Sequence, residues 1–335
     1  MRMKAIGIRE PGGPEVLHIV EVDIPRLRTG EVLIRVEAAG VNRPDLSQRA
    51  GRYPVPADAS PIPGLEVAGT VVEIAAGVAG IRPGDRVMAL VHGGGYAEFC
   101  AVDHRQAMAV PDDMSMVEAA AFPEVALTVE FNMVMRAGLL TGETMLVHGG
   151  SSGIGTHAVR RALSLGATAI TTSRGREKSA YCRALGAAVA IDSSEEDWQA
   201  AVMAATGGRG VDVVLDMVGG EVAAKNVACM AEDGRYALIS VQAGRLATLD
   251  LEPVLRRRLT IVGSTLRPLG AEQKAAIAGK IRRDVLPLVR EGQMRPHVCA
   301  TFPLAEADDA HRLMERGGHL GKVVLTVTAS DSSWP

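Results

Sequence analysis

The chain has 335 residues, of which 47% are hydrophobic and 22% charged, and its net charge is -3. That length is too great for one simple hydrophobic core, so we expect two domains. The slight excess of acidic residues gives no support for binding to nucleic acid or to a membrane surface, and an aromatic content of 3% argues against base-stacking platforms.

Neither a secretory signal nor a membrane span is visible in the sequence. Residues 1–7 lack the apolar stretch of a signal peptide, and no uninterrupted apolar run approaches the roughly 20 residues that cross a bilayer. The four cysteines lie far apart and contain no C-x-x-C pair, which argues against a disulfide framework and a structural zinc site. We therefore expect a reduced, cytoplasmic protein.

Short strands dominate the first third of the chain. Apolar alternation and β-branched residues predict the strands, and clusters of glycine and proline predict the turns between them. Such short strands are typical of a partly open β-barrel. The predicted strands are 3–8, 31–38, 67–74, 86–91 and 96–102.

The pattern changes at Ser115, which forms a predicted capping box with Glu118 at the start of a helix. From there strands and helices alternate, which implies a parallel sheet with helices on both faces. The predicted strands are 144–148, 169–173, 188–191, 211–216, 235–240, 259–262 and 321–327, and the predicted helices are 156–165, 178–185, 197–206, 220–230, 271–291 (as one or two) and 311–315.

A glycine-rich turn follows the predicted strand 144–148 and leads into a helix. Such a turn lets backbone N–H groups approach a pyrophosphate, and the helix N-terminus adds partial positive charge. Alone the motif is weak, because Ser152 occupies its middle glycine position, but the surrounding alternation of strands and helices strengthens it. The turn therefore predicts a dinucleotide cofactor. Its expected binding residues are Gly150, Ser151, Ser152, Gly153 and Ile154.

The same turn also fits the T-G-x-x-x-G-x-G pattern of short-chain dehydrogenases, with His148 in place of threonine. That family needs a Tyr-x-x-x-Lys pair for proton transfer, and no tyrosine of this chain has lysine four residues later. Its turn also lies near the N-terminus, whereas a domain-sized segment precedes this one. We therefore reject the short-chain alternative.

Several further motifs occur in a fixed order along the chain, at 40–45, 48–54, 63–69, 83–87, 119–124 with 127–128, and 321–325. In this order they resemble the medium-chain dehydrogenase/reductase superfamily, specifically its zinc-free quinone oxidoreductase branch, over nearly all of residues 1–327. Within the branch they look most like the tumour-suppressor-inducible quinone oxidoreductases. The resemblance implies an α/β fold. Its expected domains are a GroES-like partly open β-barrel at 1–122, completed by 266–335, and a Rossmann doubly wound parallel sheet at 123–265.

The resemblance also bears on metal content. Zinc-dependent relatives have a cysteine where this chain has Asn42, and a G-H-E motif where it has Gly64-Leu65-Glu66. A catalytic zinc wants three protein ligands, and asparagine and leucine cannot serve. We therefore expect no metal. Without a Lewis acid, the acceptor must itself be electrophilic, as quinones and conjugated enones are.

The end of the second cofactor-domain strand favours NADPH over NADH. Ser173 stands where NAD-binding folds carry an acidic residue for the ribose 2′-hydroxyl. Arg174, Arg176 and Lys178 surround it, and arginine suits a phosphate. In the resembling family the lysine that matches Lys178 contacts the 2′-phosphate. The family's tyrosine after the third strand is Ser193 here, a departure that we expect Arg174 to offset.

By resemblance, Asn42 and Tyr53 line the cleft where substrate meets nicotinamide, and Thr128 lies near the nicotinamide amide. Each also has a purely structural interpretation: a turn residue, a loop tyrosine and a helix residue bonded to the preceding turn. Asp45 is a candidate helix N-cap. Glu130 stands where relatives often have an aromatic residue, and we assign it no role.

Four more residues follow strands of the predicted parallel sheet. They are expected at its carboxyl edge, where ligands bind in such sheets, and we assign them to the cofactor. These residues are Ser240, Gln242, Ser264 and Leu266.

The predicted reaction is direct hydride transfer from NADPH to a small-molecule quinone or enone. Two alternatives stay open: an enoyl-thioester or alkenal double-bond reductase of the same branch, and a non-catalytic NADPH-binding protein, since zeta-crystallin of the lens shares this fold. The family also implies a homodimer in which edge strands of the cofactor domains pair. The apolar run 259–263 is the candidate edge.

Overall fold

A computed structural model describes residues 1–328 of the chain. The chain divides into two compact units, the first made of Met1–Leu127 and Arg267–Pro335 and the second of Thr128–Leu266. The sequence predicts the first domain boundary before Pro123, which is the residue at which a helix begins.

The first unit starts with β-strands, as predicted, although two of them, at 17–23 and 107–109, are missing from the sequence prediction. Ser115 caps the next helix, with its Oγ accepting a hydrogen bond from the backbone N–H of Glu118 at 3.2 Å, which confirms the predicted capping box. The elements are β1 Arg2–Ile8, β2 Leu17–Asp23, β3 Glu31–Val41, α1 Arg43–Arg49, β4 Glu66–Ile74, β5 Arg86–Leu90, β6 Phe99–Asp103, β7 Ala107–Ala109, α2 Met116–Ala120 and α3 Pro123–Val129.

The second unit alternates strands and helices, and each predicted element lies within a few residues of its predicted bounds. It opens with a π-helix at Glu130–Arg136, which the sequence analysis does not predict. The remaining elements are β8 Thr144–His148, α4 Gly153–Ser164, β9 Thr168–Ser173, α5 Arg176–Ala184, β10 Val189–Asp192, α6 Trp198–Ala205, β11 Val211–Asp216, α7 Val222–Cys229, β12 Met230–Leu238, α8 Glu252–Arg256 and β13 Thr260–Gly263.

The strands of the second unit form one parallel sheet in the order β10-β9-β8-β11-β12-β13. This is the order of a doubly wound Rossmann sheet, which confirms the predicted fold class. Every residue of β11 is buried, as expected of a strand with helices on both faces of its sheet. The apolar residues on the two faces pack into separate clusters.

The chain then returns to the first unit. The strand at 298–303 is another that the sequence analysis does not predict. The last strand pairs antiparallel with β3, so that Val323 lies opposite Val41. No helix among the described residues is long and apolar enough to cross a membrane. The elements are α9 Ala271–Asp284, α10 Leu286–Arg290, β14 Val298–Pro303, α11 Ala307–Arg316 and β15 Lys322–Thr326.

The first unit's main sheet has the order β14-β15-β3-β4-β5-β7, and β6 pairs with the other part of β3. Its pairs are antiparallel except for β14 with β15. β3 can serve several neighbours because its eleven residues are long enough to pair with β4, β6 and β15. The result is the partly open barrel that the short strands predict.

A buried ion pair fixes the π-helix. Glu130 is 0% exposed and Arg161, on α4, is 4% exposed. The Arg161 guanidinium donates from Nε to Glu130 Oε2 at 2.9 Å and from Nη2 to Oε1 at 3.1 Å. Glu130, to which the sequence assigns no role, is therefore a structural residue that two charge-assisted hydrogen bonds tie to α4.

We expect Arg161→Met to lower the free energy of unfolding by about 3–5 kcal/mol, because the Glu130 carboxylate stays buried without its guanidinium. The double variant Glu130→Gln/Arg161→Met should recover part of the loss. Urea unfolding followed by circular dichroism measures both changes. As a matched control, Arg312→Met removes an exposed ion pair with Asp308 and should cost at most about 1 kcal/mol. Equal losses for Arg161→Met and Arg312→Met would contradict the structural role.

Candidate functional site

The glycine-rich turn brings α4 directly against β8. Gly149 has a φ of +66°, in the left-handed region that favours glycine. A Cβ on Gly150 would lie 2.6 Å from Thr171 Cβ, and a Cβ on Gly155 would lie 2.3 Å from the Gly149 carbonyl oxygen. A side chain at Gly150 would therefore collide with β9, and one at Gly155 would collide with the turn itself. The glycines serve the close strand–helix packing on which dinucleotide sites depend.

Ser152 explains the missing middle glycine. Its Oγ accepts a hydrogen bond from the backbone N–H of Gly155 at 3.0 Å, so it is the N-cap of α4. The first N–H groups of a helix have no partner within the helix and carry partial positive charge. Gly150, Ser151, Ser152, Gly153 and Ile154 all lie in the turn or the first turn of α4, and the cradle fits a diphosphate.

Ser173 ends β9 and is 6% exposed. Its carbonyl oxygen accepts hydrogen bonds from the Ser193 backbone N–H at 2.8 Å and from the Ser193 Oγ at 3.1 Å. Ser193, the departure from the family pattern, therefore joins the ends of β9 and β10. The end of β9 thus offers a neutral hydroxyl where NAD-binding folds offer a carboxylate.

Asp192 is an acidic residue at this edge that the sequence analysis misses. Its Oδ1 accepts hydrogen bonds from the Gly175 backbone N–H at 2.8 Å and from the Ser194 Oγ at 2.5 Å. The pKa of Asp192 is lowered, first by the Ser194 hydroxyl and then by the Gly175 and Ser194 backbone N–H groups. The carboxylate thus holds the loop after β9 in place.

The basic residues after β9 are open to solvent. Arg174 and Arg176 are exposed and Lys178 is half-buried. Across residues 1–328, no carboxylate lies within ion-pairing distance of Arg174 or Lys178. Gly175 between them has a φ of +96°, and nothing lies within 4 Å of a Cβ there. Two cations without counter-ions therefore flank Ser173, an arrangement that suits a phosphate.

Asn132, which the sequence analysis also misses, connects two predicted site residues. The Ser264 Oγ donates to Asn132 Oδ1 at 2.6 Å, and Asn132 Nδ2 donates to the Thr128 carbonyl oxygen at 2.9 Å. Ser264, just after β13, and Thr128 are thereby brought together. The signal in the sequence is a polar residue four positions after Thr128, on the same helical face. Ser240 and Leu266 are half-buried and Gln242 is exposed, after β12 and β13.

A buried polar network supports the carboxyl edge of the parallel sheet. His148, at the end of β8, is within 2.7 Å of Thr172 Oγ1 through Nδ1 and within 2.7 Å of Asn226 Oδ1 through Nε2. Asn226 Nδ2 donates to Asp216 Oδ2 at 3.1 Å, and Asp216 Oδ1 accepts from the Val218 N–H at 2.6 Å. Burial lowers the pKa of His148, so its ring stays neutral. The network joins the ends of β8, β9 and β11.

In the first unit, Asn42 is the N-cap of α1 and is 5% exposed. Its Nδ2 donates to Glu66 Oε1 at 2.9 Å, and the Lys322 ammonium donates to Asn42 Oδ1 at 2.5 Å and to Glu66 Oε1 at 2.7 Å. The second Glu66 oxygen accepts from the Glu124 N–H at 2.8 Å. Glu66 and Lys322 are 0% and 5% exposed, so the cluster is buried.

Asn42, a member of this cluster, and Leu65, next to Glu66, stand where the resemblance implies zinc ligands in zinc-dependent relatives. Leu65 and Asn42 offer no ligand pair, and the remaining carboxylate, Glu66, is paired with the Lys322 ammonium. Among residues 1–328, no group of three histidine, cysteine or acidic side chains is placed to hold a metal ion. An asparagine, a leucine and a carboxylate that is already paired with a lysine do not supply the three protein ligands that a catalytic zinc needs, so these residues do not fit zinc.

Asp45 is not the helix N-cap that the sequence suggests. It lies three residues further on, where its Oδ2 accepts a hydrogen bond from the Asn42 N–H at 2.8 Å. Its carboxylate also accepts from the Gly64 N–H and the Tyr96 hydroxyl, both at 3.2 Å. Burial raises the pKa of Asp45 to about 6, although these hydrogen bonds oppose the rise. Asp45 thus holds Asn42 and the loop at Gly64 together through hydrogen bonds to their backbone N–H groups.

Tyr53 lies between α1 and β4, in a segment without helix or strand, and is half-buried. The guanidinium carbon of Arg267 lies 5.6 Å from the centroid of its ring, a cation–π contact. Burial raises the pKa of Tyr53, while Arg267 opposes the rise. The phenol therefore stays protonated near neutral pH and acts as a hydrogen-bond donor rather than as an acid.

Comparison with known families and structures gives a consistent result. Residues 28–112 match the alcohol dehydrogenase GroES-like domain, and residues 185–325 match the zinc-binding dehydrogenase family. The structure of mycobacterial Rv1454c complexed with NADPH is 31% identical, with a TM-score of 0.87, and the match covers 97% of this chain and 100% of that chain.

Two further solved structures match at lower identity. The Escherichia coli quinone oxidoreductase complexed with NADPH is 27% identical, with a TM-score of 0.86, over 96% of this chain and 99% of that chain. The CurK enoyl reductase is 26% identical, with a TM-score of 0.86, over 97% and 99% of the two chains.

Among curated proteins, the erythronolide synthase EryA2 of Saccharopolyspora erythraea is 35% identical over 90% of this chain. The chain spans 8% of the length of that synthase. Together with the family matches, the near-complete coverage of a structure at 31% identity assigns the family. The chain belongs to the medium-chain dehydrogenase/reductase superfamily of oxidoreductases, and quinone oxidoreductases are among its relatives.

Proposed function

We propose that this chain is an NADPH-dependent oxidoreductase that reduces a quinone, or a similarly electrophilic acceptor, without a metal. The observation that carries the proposal is the pairing of a turn that admits only glycine, at Gly150 and Gly155, with unpaired cations beside Ser173. NADPH, when bound, supplies a hydride to the acceptor. The rest of the reaction depends on the residues of the chain.

The cofactor would be held at both of its anionic groups. The start of α4 fits the diphosphate, because the N-terminal N–H groups and the glycine turn face it together. Arg174 and Lys178 fit the 2′-phosphate, while Ser173 places no negative charge there. The NADPH complexes of Rv1454c and of the Escherichia coli quinone oxidoreductase support this choice.

On the acceptor side, the proposal favours Tyr53 over Asn42 as the direct contact. Both polar atoms of the Asn42 side-chain amide already form hydrogen bonds. Its Nδ2 donates to Glu66 and to the Gly40 carbonyl oxygen, and its Oδ1 accepts from Lys322. No partner of the Tyr53 hydroxyl is found within residues 1–328. A protonated phenol can donate a hydrogen bond to a carbonyl oxygen and so polarise it. The proton that completes the reduction would come from water.

Cys100 is not a candidate nucleophile. It is 2% exposed, and burial raises the pKa of its thiol to about 12. The thiolate that a nucleophilic mechanism needs would be scarce at neutral pH. Hydride transfer without a covalent intermediate is therefore the mechanism that the residues of this chain favour.

A second candidate function is reduction of the double bond of an enoyl thioester. The similarity to the CurK enoyl reductase and to EryA2 supports it. The two functions share the fold and the cofactor, so the acceptor alone separates them.

The test of function is NADPH oxidation with matched acceptors: an ortho-quinone, a para-quinone, an enone and an enoyl thioester. We expect the quinones to give the highest kcat/KM, since hydride transfer without a metal needs an electron-poor acceptor. Dialysis against a chelator should leave the rate unchanged. Turnover of the thioester alone would select the enoyl reductase. NADPH binding without turnover of any acceptor would select the non-catalytic alternative.

We expect the double variant Arg174→Met/Lys178→Met to weaken NADPH binding by roughly 10- to 100-fold, as loss of charge-assisted hydrogen bonds to the 2′-phosphate implies. NADH binding should be nearly unchanged, because NADH lacks that phosphate. Fluorescence titration with each nucleotide measures both dissociation constants. The control Lys225→Met removes an exposed lysine of the same unit. Equal weakening of NADPH and NADH would rule out the phosphate contact.

We also propose a homodimer that forms through β13. This strand is the last of the parallel sheet, and Ile261 on it is 44% exposed. An exposed apolar edge strand is an aggregation liability unless another strand covers it. Light scattering should show a dimer for the wild type and a monomer for Ile261→Lys. A monomeric wild type at micromolar concentration would refute the interface.

A further inference from the structure

Arg267 is a buried arginine whose guanidinium is only partly hydrogen-bonded. It is 5% exposed. Its Nη1 donates to Gln48 Oε1 at 2.7 Å, but its Nε and Nη2 are buried and have no hydrogen-bond partner among residues 1–328. Proteins satisfy nearly all buried polar groups, so a charged one with two unpaired donors calls for a ligand from outside the chain.

The two unpaired nitrogens belong to the same edge of the guanidinium. Nε–H and one N–H of Nη2 run parallel, and this pair of donors matches the two oxygens of a carboxylate. The opposite nitrogen, Nη1, is the one bound to Gln48. Gln48 therefore occupies only Nη1. The edge formed by Nε and Nη2, which suits a carboxylate, has no hydrogen-bond partner among the described residues.

The surroundings hold this guanidinium in one orientation. The Gln48 Nε2 donates to the Pro61 carbonyl oxygen at 3.0 Å, which turns Gln48 Oε1 toward Arg267. The ring of Tyr53 contacts the cation. Gly93, with a φ of +88°, packs against the same guanidinium: a Cβ there would lie 2.6 Å from the Ser60 carbonyl oxygen and 3.2 Å from Arg267 Nη2, so no side chain fits at this position.

The charge around Arg267 favours an anion. Lys274 is 4% exposed and donates from Nζ to the Arg267 carbonyl oxygen at 3.0 Å. Its Nζ also lies 3.3 Å from His92 Nδ1, and the exposed Asp58 reaches the other His92 nitrogen. Within the described chain, neither Arg267 nor Lys274 has a carboxylate at ion-pairing distance. Asp45 and Asp58 act on these cations only from beyond ion-pairing distance. Two neighbouring buried cations without a direct ion pair leave a positive potential that attracts anions.

We propose that Arg267, Gln48 and Tyr53 form a subsite for a carboxylate carried by the acceptor. The inference rests on the proposed function and narrows its substrate class to electrophilic carbonyl compounds that bear such a group. The two carboxylate oxygens accept from Nε and Nη2 of Arg267. Tyr53 is the half-buried member of the cluster, whereas Arg267 and Gln48 are buried.

The test compares a benzoquinone that carries an acetic acid side chain with its methyl ester. For the wild type, kcat/KM should be roughly tenfold or more higher for the acid, as charge-assisted hydrogen bonds imply. Arg267→Met should bring the ratio to about one, and Arg267→Lys should give an intermediate ratio, because lysine keeps the charge but loses the paired donors. The matched control Arg52→Met, which removes an exposed arginine beside Tyr53, should keep the wild-type ratio.

A second measurement does not depend on turnover. Benzoate binding to the full chain, measured by calorimetry, should weaken by a similar factor in Arg267→Met, while NADPH binding stays unchanged. If benzoate binding depends on Arg267 but no quinone is reduced, the subsite is supported and the proposed function is rejected. Equal kcat/KM values for the quinone acid and its methyl ester would overturn the subsite. Quinone turnover by a chain whose benzoate binding does not depend on Arg267 would overturn it as well. Loss of NADPH affinity in Arg267→Met would assign the guanidinium to the cofactor and would also overturn it. If Arg267→Met does not fold, Arg267→Lys decides by the same criteria.

Discussion

The close approach of α4 to β8 is the constraint on which the cofactor unit depends. Gly155 lets α4 start directly against the turn that follows β8, and Gly150 keeps that turn clear of Thr171 on β9. The helix N-terminus then opens directly at the carboxyl edge of the sheet, where its unpaired N–H groups and partial positive charge are available. The His148 and Asp216 network holds the neighbouring strand ends in register.

In the first unit, an internal cation has a comparable organising role. Lys322 reaches Asn42 and Glu66 because β15 pairs with β3 in a register that sets Val323 opposite Val41. A buried ion pair is weak evidence for stability, since the desolvation of both charges offsets their attraction. Its value here is orientation: the Lys322 ammonium fixes the Asn42 amide and the Glu66 carboxylate relative to each other.

Much of the fold follows from the sequence because its signals are local. Alternation, capping boxes and glycine turns each span a few residues, so the parallel strands and the Ser115 cap are predicted correctly. The contacts that define the site are not local. Lys322 and Glu66 are 256 positions apart, and Arg267 and Gln48 are 219 apart. The spacing of apolar residues within a helix or strand carries no information about pairs so far apart. Strand β14 is missed by the sequence prediction. Asp45 is misplaced because Asn42, three residues earlier, is the cap.

The path of the chain has a consequence for synthesis on the ribosome. The second unit, which we also call the cofactor unit, is one continuous segment of the chain. The first unit, which contains the barrel, needs β15, and this strand follows that segment and pairs with β3 inside the sheet. The cofactor unit can therefore complete its own contacts while the barrel still waits for its final strand. Until then β3 presents an open hydrogen-bonding edge, and pairings so distant along the chain form slowly. A nascent chain of this protein is thus most vulnerable to misassembly at its barrel until β15 has been synthesised.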